Sequence, residues 1–237
     1  MSDFWGKKLD NATKHGRDSE VSFLLRDHPD INVNWANPDF HQWTVLHNAS
    51  FYSHVEVIKL LLTHPSINVN LKNNFGQTAL SCGCEYGQVS VVRLLLKDPR
   101  VNVTLDHEGR TPLWHASCYG HQEVTEWLIA SERDLGDVKN KKGKDWNHEH
   151  YTVLEIARKR NKTEVASLLE RFLVNPAHTR HELRVKLGVL EALAAEVFAL
   201  TVFLCDDLLQ LNSSQPLTLL LLLDSLSLPP SYLWSCR

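Results

Sequence analysis

Apolar residues return along this chain three to four positions apart, in pairs of short segments divided by a glycine or a small polar residue. That pattern predicts pairs of short amphipathic helices. The pairs themselves recur. Thr44, Thr78 and Thr111 stand 34 and 33 residues apart, each followed two places on by an apolar residue (Leu46, Leu80, Leu113) and then by an aromatic-polar step (Tyr52-Ser53, Tyr86-Gly87, Tyr119-Gly120). Eight places after each tyrosine a second apolar triplet begins: Leu60-Leu61-Leu62, Leu94-Leu95-Leu96 and Trp127-Leu128-Ile129. Weaker copies at 11–25 and 152–169 flank these three, for about five units in all. Each helix is too short and one-sided to persist alone, so its apolar stripe must be covered by the next unit. Stacking then buries one continuous core.

The stretches "TVLHNA" (44–49), "GRTPLW" (109–114) and "YGH" (119–121), at this period, resemble the ankyrin family over roughly residues 9–172. The resemblance implies an all-α repeat solenoid with two antiparallel helices per unit, β-turn fingers between units and a concave surface that binds other proteins. The expected units are approximately 1–34, 35–70, 71–104, 105–140 and 141–174. Fingers beginning at Asn34, Asn70, Thr104 and Asn140 run 10, 8, 7 and 12 positions to the following threonine, so the first and last are lengthened. His47 matches the family's structural histidine; Ser81 and Trp114 replace it in other units, which weakens the expected bonding between repeats.

Carried onto the first helices, the resemblance places Tyr52, Tyr86 and Tyr119 at one slot, with His15 and Arg160 at its ends. The neighbouring slot holds Lys14, Phe51, Glu85, Cys118 and Lys159. Tyrosine ladders supply rigid amphipathic contact area, although an aromatic before glycine also covers the adjoining unit. Trp35, Phe40 and Trp43 crowd the long first finger, where exposed aromatics would form a contact patch, with Trp43 alternatively folded back onto the repeat core. His115 falls on the variable face. The expected partner-binding set is therefore Trp35, Phe40, Phe51, Tyr52, Tyr86, His115, Tyr119, Lys141, Lys142, Lys144, Trp146, Lys159 and Arg160.

Net charge is −3, so the chain as a whole gives no reason to expect nucleic acid. Locally the picture changes: residues 139–162 carry eight basic side chains against three acidic ones, or +5, while 1–138 sum to −5 and 163–237 to −3. With Trp146 and Tyr151 interleaved, this block is either a solvated face or an attractor for an acidic protein segment, a phosphorylated peptide or nucleic acid.

Five scattered cysteines lack zinc-finger spacing, and the polar N-terminus lacks an export signal, which predicts an intracellular protein, cytoplasmic or nuclear. His148-Glu149-His150 and His178-Thr179-Arg180-His181 lack further ligands at metal spacing. No phosphate loop, G-x-S-x-G elbow or kinase motif set is present, and Cys118 with His115 has no orienting third group. The chain is expected to be noncatalytic, with no cofactor, no metal and no membrane span.

Asn175-Pro176 ends a helix, and 175–211 reads as a helical extension that either caps the last repeat or meets a partner helix. It carries an apolar stripe through Leu193, Val197, Leu200, Leu204, Leu208 and Leu211, and it resembles an extension of fungal ankyrin-repeat proteins. Residues 212–237, nearly all Leu, Ser and Pro, read as a low-complexity tail, disordered or out of frame. The expected function is a scaffold or adaptor for a protein partner. A regulatory inhibitor of an enzyme is the alternative, and nucleic-acid binding through the basic finger a more distant one.

Overall fold

The computed structural model describes residues 2–104, 107–190 and 194. The chain divides after Leu187, and every element below lies in the first unit. Ten helices form five pairs: α1 (Ser2–Lys14) with α2 (Asp18–Asp27), α3 (Val45–Phe51) with α4 (Val55–Thr63), α5 (Ala79–Glu85) with α6 (Val89–Lys97), α7 (Pro112–Tyr119) with α8 (Gln122–Ala130), and α9 (Val153–Lys159) with α10 (Thr163–Val174). The recurring threonines explain where first helices begin. Thr44, Thr78, Thr111 and Thr152 are extended N-caps whose hydroxyls accept the backbone N–H three residues on, from His47, Ser81, Trp114 and Glu155.

First helices pack on first helices and second on second, giving two layers around one core that runs from Leu9 through Leu46, Leu80, Leu113 and Ile156. Polar side chains tie each unit to its neighbour. Asn34 Nδ2 donates to Ser66 O at 2.7 Å while Asn34 Oδ1 accepts from Asn68 N at 2.8 Å; Asn70 repeats both bonds to Arg100 O and Asn102 N, each at 2.8 Å. Each of these asparagines closes an "INVN" stretch, at 31–34 and 67–70. At the start of the second helices, His54 Nε2, Gln88 Nε2 and His121 Nε2 donate to Lys14 O, Phe51 O and Glu85 O of the preceding unit at 3.2, 2.9 and 2.8 Å.

One glycine is required by that arrangement. Gly87 has φ +69°, and a Cβ there would lie 2.6 Å from the His121 ring. Gly87→Ala combines left-handed strain with displacement of an imidazole that links two units, and is expected to destabilise the stack by ~2 kcal/mol. Urea unfolding followed by far-UV circular dichroism checks this; an unchanged midpoint would mean that the ring yields freely.

The lengthened fingers fold as hairpins. The first pairs β1 (Ala36–Asn37) with β2 (Trp43–Thr44), and the last pairs β3 (Gly143–Lys144) with β4 (His150–Tyr151), both antiparallel. Between them the shorter fingers are tight turns, at 73–77 and 107–110. Neighbouring fingers are joined by Asn74 N to His41 O at 2.9 Å and Lys144 N to Glu108 O at 3.0 Å.

After Asn175, whose side chain caps His178 N at 3.2 Å, α11 (Pro176–Lys186) turns back across α8 and α10. It buries Thr179 and Leu183. Lys186 Nζ meets Glu126 Oε1 at 2.6 Å, and Arg184 pairs with Glu132. The remainder of the expected 175–211 extension, apart from 187–190 and 194, and the whole 212–237 tail lie outside the described residues. Among the described residues no helix is long and apolar enough to cross a membrane.

Candidate functional site

The three tyrosines end α3, α5 and α7 and occupy one row, 42%, 46% and 37% exposed at positions 52, 86 and 119. They are not isolated. Phe51, half-buried, sits edge-on to Tyr86 with ring centroids 4.3 Å apart and to Tyr52 at 4.7 Å, while Tyr52 and Tyr119 stack on His54 and His121. Tyr86 meets Phe51 and Tyr119 hydrogen-bonds to Glu85 across the unit boundaries, while each tyrosine keeps part of its surface exposed.

Toward the last finger the row continues into Trp146, half exposed, 5.9 Å from Tyr119 and with the Arg160 guanidinium 4.7 Å over its ring. Toward the first finger it continues through Trp43, buried edge-on against Phe51 at 5.3 Å, to exposed Phe40, over which Lys14 lies at 5.7 Å. His41 then meets exposed Phe75 of the next finger at 4.6 Å. An aromatic band therefore spans the stack.

Glu85 lies in the middle of the band and is absent from the sequence-based site set. Its Oε1 accepts from Tyr119 Oη at 2.8 Å and its Oε2 from Gln77 Nε2. Burial first, then this hydrogen bond, raises the Tyr119 phenol well above the usual range, so the hydroxyl stays a donor. The only sequence signal for Glu85 was its slot, which it shares with Phe51.

Two residues expected at the surface are not there. Trp35 is buried, its ring held where a side chain on Gly6 of α1 would stand, because the first finger folds down onto that helix. His115 is buried as well; burial, then the nearby Arg110 charge, lowers its pKa to about 3, so the imidazole is neutral. Its Nδ1 lies 3.6 Å from Glu85 Oε2, too far for a hydrogen bond.

The basic block is largely matched within the fold. Lys142 approaches Glu155 at 4.0 Å, Lys144 meets Glu108 at 3.3 Å and Arg158 meets Glu170 at 2.7 Å. Lys159 meets Glu149 at 2.5 Å and Asp145 at 3.2 Å, and Glu149 first, then Tyr151, raises the lysine pKa. Glu108 and Glu170 lie outside the 139–162 window, so eight basic groups face five carboxylates and the local excess falls from +5 to +3. Lys141 is exposed on the same finger.

Among the described residues no group of three or more His, Cys, Asp or Glu side chains is arranged to hold a metal. Cys118 is pushed up to about 11 by burial, while His115 is lowered to about 3, so the imidazole has no driving force to take the thiol proton. Cys82 and Cys84 are buried free thiols, also raised by burial.

A family model described as Ankyrin repeats (3 copies) matches residues 9–105 and 65–142, a span of more than half of the 237 residues. No curated protein matches the chain.

Proposed function

The chain belongs to the ankyrin-repeat family, whose members are generally protein-binding modules, and on that premise we propose that it is a noncatalytic scaffold or adaptor that holds a partner protein across the band from Phe40 to Trp146. The observation that carries this reading is the tyrosine row. Three large aromatics at one slot each keep more than a third of their surface exposed while their positions are set by Phe51, His54 and His121. Anchors already held in place lose little entropy on binding, and Tyr and Trp are over-represented among residues that dominate interface energies.

Phe51, Tyr52, Tyr86, Tyr119 and Trp146 are the central contacts in this reading, with Phe40 at one end and Arg160 at the other. The last finger, with its residual basic excess, offers an acidic segment of the partner its steering charge. Lys142, Lys144 and Lys159 contribute less to that attraction because each already faces a carboxylate.

Affinity capture with the full chain tests the proposal against a variant carrying Tyr52→Ala, Tyr86→Ala and Tyr119→Ala, both first shown folded by circular dichroism. A partner retained by the parent and weakened about tenfold or more by the triple variant is the expected result. Equal retention by both would assign the tyrosines to packing and remove the concave face from the reading.

A further inference from the structure

We propose that the Glu85 carboxylate, beside the Tyr86 and Tyr119 rings, is a receptor for the guanidinium of one arginine on the bound partner. This rests on the concave-face reading above and names the chemistry at its centre.

Glu85 differs from the finger carboxylates and from Glu126 in what neutralises it. Glu108 has Lys144, Asp145 and Glu149 share Lys159, Glu155 has Lys142, and Glu126 has Lys186. Among the described residues, the side chains shown bonding to the Glu85 carboxylate are the neutral donors Tyr119 and Gln77, and His115, 3.6 Å away, is held neutral by burial. Its side chain is 14% exposed, poorly hydrated yet open on the binding face. A carboxylate withdrawn from water without a cation is costly, and a cation delivered by a ligand recovers that cost.

The geometry favours arginine. Each Glu85 oxygen accepts one hydrogen bond and keeps acceptor capacity for a second, so a planar fork of N–H donors has two oxygens to address. The adjoining Tyr86 and Tyr119 rings, with Phe51 closing against Tyr86 at 4.3 Å, offer apolar faces on which a guanidinium stacks and a compact, strongly hydrated ammonium does so less well. Burial and then the Glu85 charge raise the Tyr86 phenol, which places that ring within the field of the carboxylate. The same chemistry occurs inside the fold, where Arg160 covers Trp146.

The test is an NMR titration of the isotope-labelled full chain with N-acetylarginine amide, N-acetyllysine amide and N-acetylnorleucine amide, repeated on Glu85→Gln. That variant keeps an oxygen for Tyr119 while removing the charge. Arginine amide is expected to shift resonances of Glu85, Tyr86 and Tyr119, with about tenfold weaker binding by lysine amide, none by norleucine amide, and about tenfold weakening of arginine in Glu85→Gln. Equal binding of arginine and lysine, an unchanged response in Glu85→Gln, or no localised shift would each overturn the assignment. A partner lost by the triple tyrosine variant but held undiminished by Glu85→Gln would leave the concave face standing and remove the receptor. Capture insensitive to the tyrosines would remove the face itself.

Discussion

Acidification from pH 6.5 towards pH 4 is expected to cost the stack on the order of 5 kcal/mol, through two buried imidazoles. His47 and His115 have folded-state pKa values lowered by burial to about 4 and about 3, against an ordinary value of 6.5. The folded chain keeps both rings neutral while the unfolded chain takes up protons. Their stabilisation is therefore complete above the unfolded pKa and is lost as pH falls towards the folded values. The expected slope between pH 6 and 5 is ~2.4 kcal/mol per pH unit, ~1.2 for each histidine. The carboxylates held below their ordinary range, Asp98, Glu108, Asp145, Glu149 and Glu155, lose their contributions as pH falls through and below that range, while Asp10, raised by burial from 3.8, acts in the opposite sense. Urea unfolding at a series of pH values measures the slope. His47→Ser, which installs the residue found at the same slot as Ser81, is expected to halve it. A slope unchanged by that substitution would remove His47 from the account.

Trp114→Ala is expected to destabilise the chain by ~3–5 kcal/mol. The side chain is among the largest fully buried ones, and its Nε1 donates to Tyr151 O at 3.1 Å, the base of the last finger. The indole stands where a Cβ on Gly143 would be, so that glycine makes the room. Trp114→Phe keeps most of the volume but deprives the Tyr151 carbonyl of its donor, at ~1–3 kcal/mol. Chemical unfolding of both variants separates cavity from hydrogen bond. Equal losses would assign the whole effect to the bond. The indole also corrects the expectation that replacing the family histidine weakens the contact between repeats: His47 Nε2 donates to Gln77 O at 2.8 Å, and Trp114 makes the equivalent bond two fingers further on. Ser81, which bonds only within its own cap in the described structure, does not.

The features legible in the sequence are local or periodic. Thr44, Thr78, Thr111 and Thr152 each act through the backbone three residues on, so their recurrence, at 34, 33 and, across the lengthened last finger, 41 residues, was enough to place four of the five first helices. The two fingers lengthened in the sequence are the two that pair as ribbons, because a paired ribbon needs residues that a tight turn lacks. The tyrosine row follows from the same register.

What the sequence by itself determined is the helix-pair solenoid and the slot each side chain occupies within a unit, since both depend on spacing along the chain. Only the tertiary structure decided what stands opposite each slot. Trp35 is covered by α1, Lys144 is matched by Glu108 from the preceding finger, α11 lies across α8 and α10, and Glu85 takes its bonds from Tyr119 and Gln77. Most of these pairings join residues about 30 or more positions apart, where charge and polarity are sensed through space rather than along the sequence. The physical reason is that burial and electrostatic pairing depend on which neighbour the stack delivers, and a repeat period specifies the place of that neighbour without specifying its chemistry.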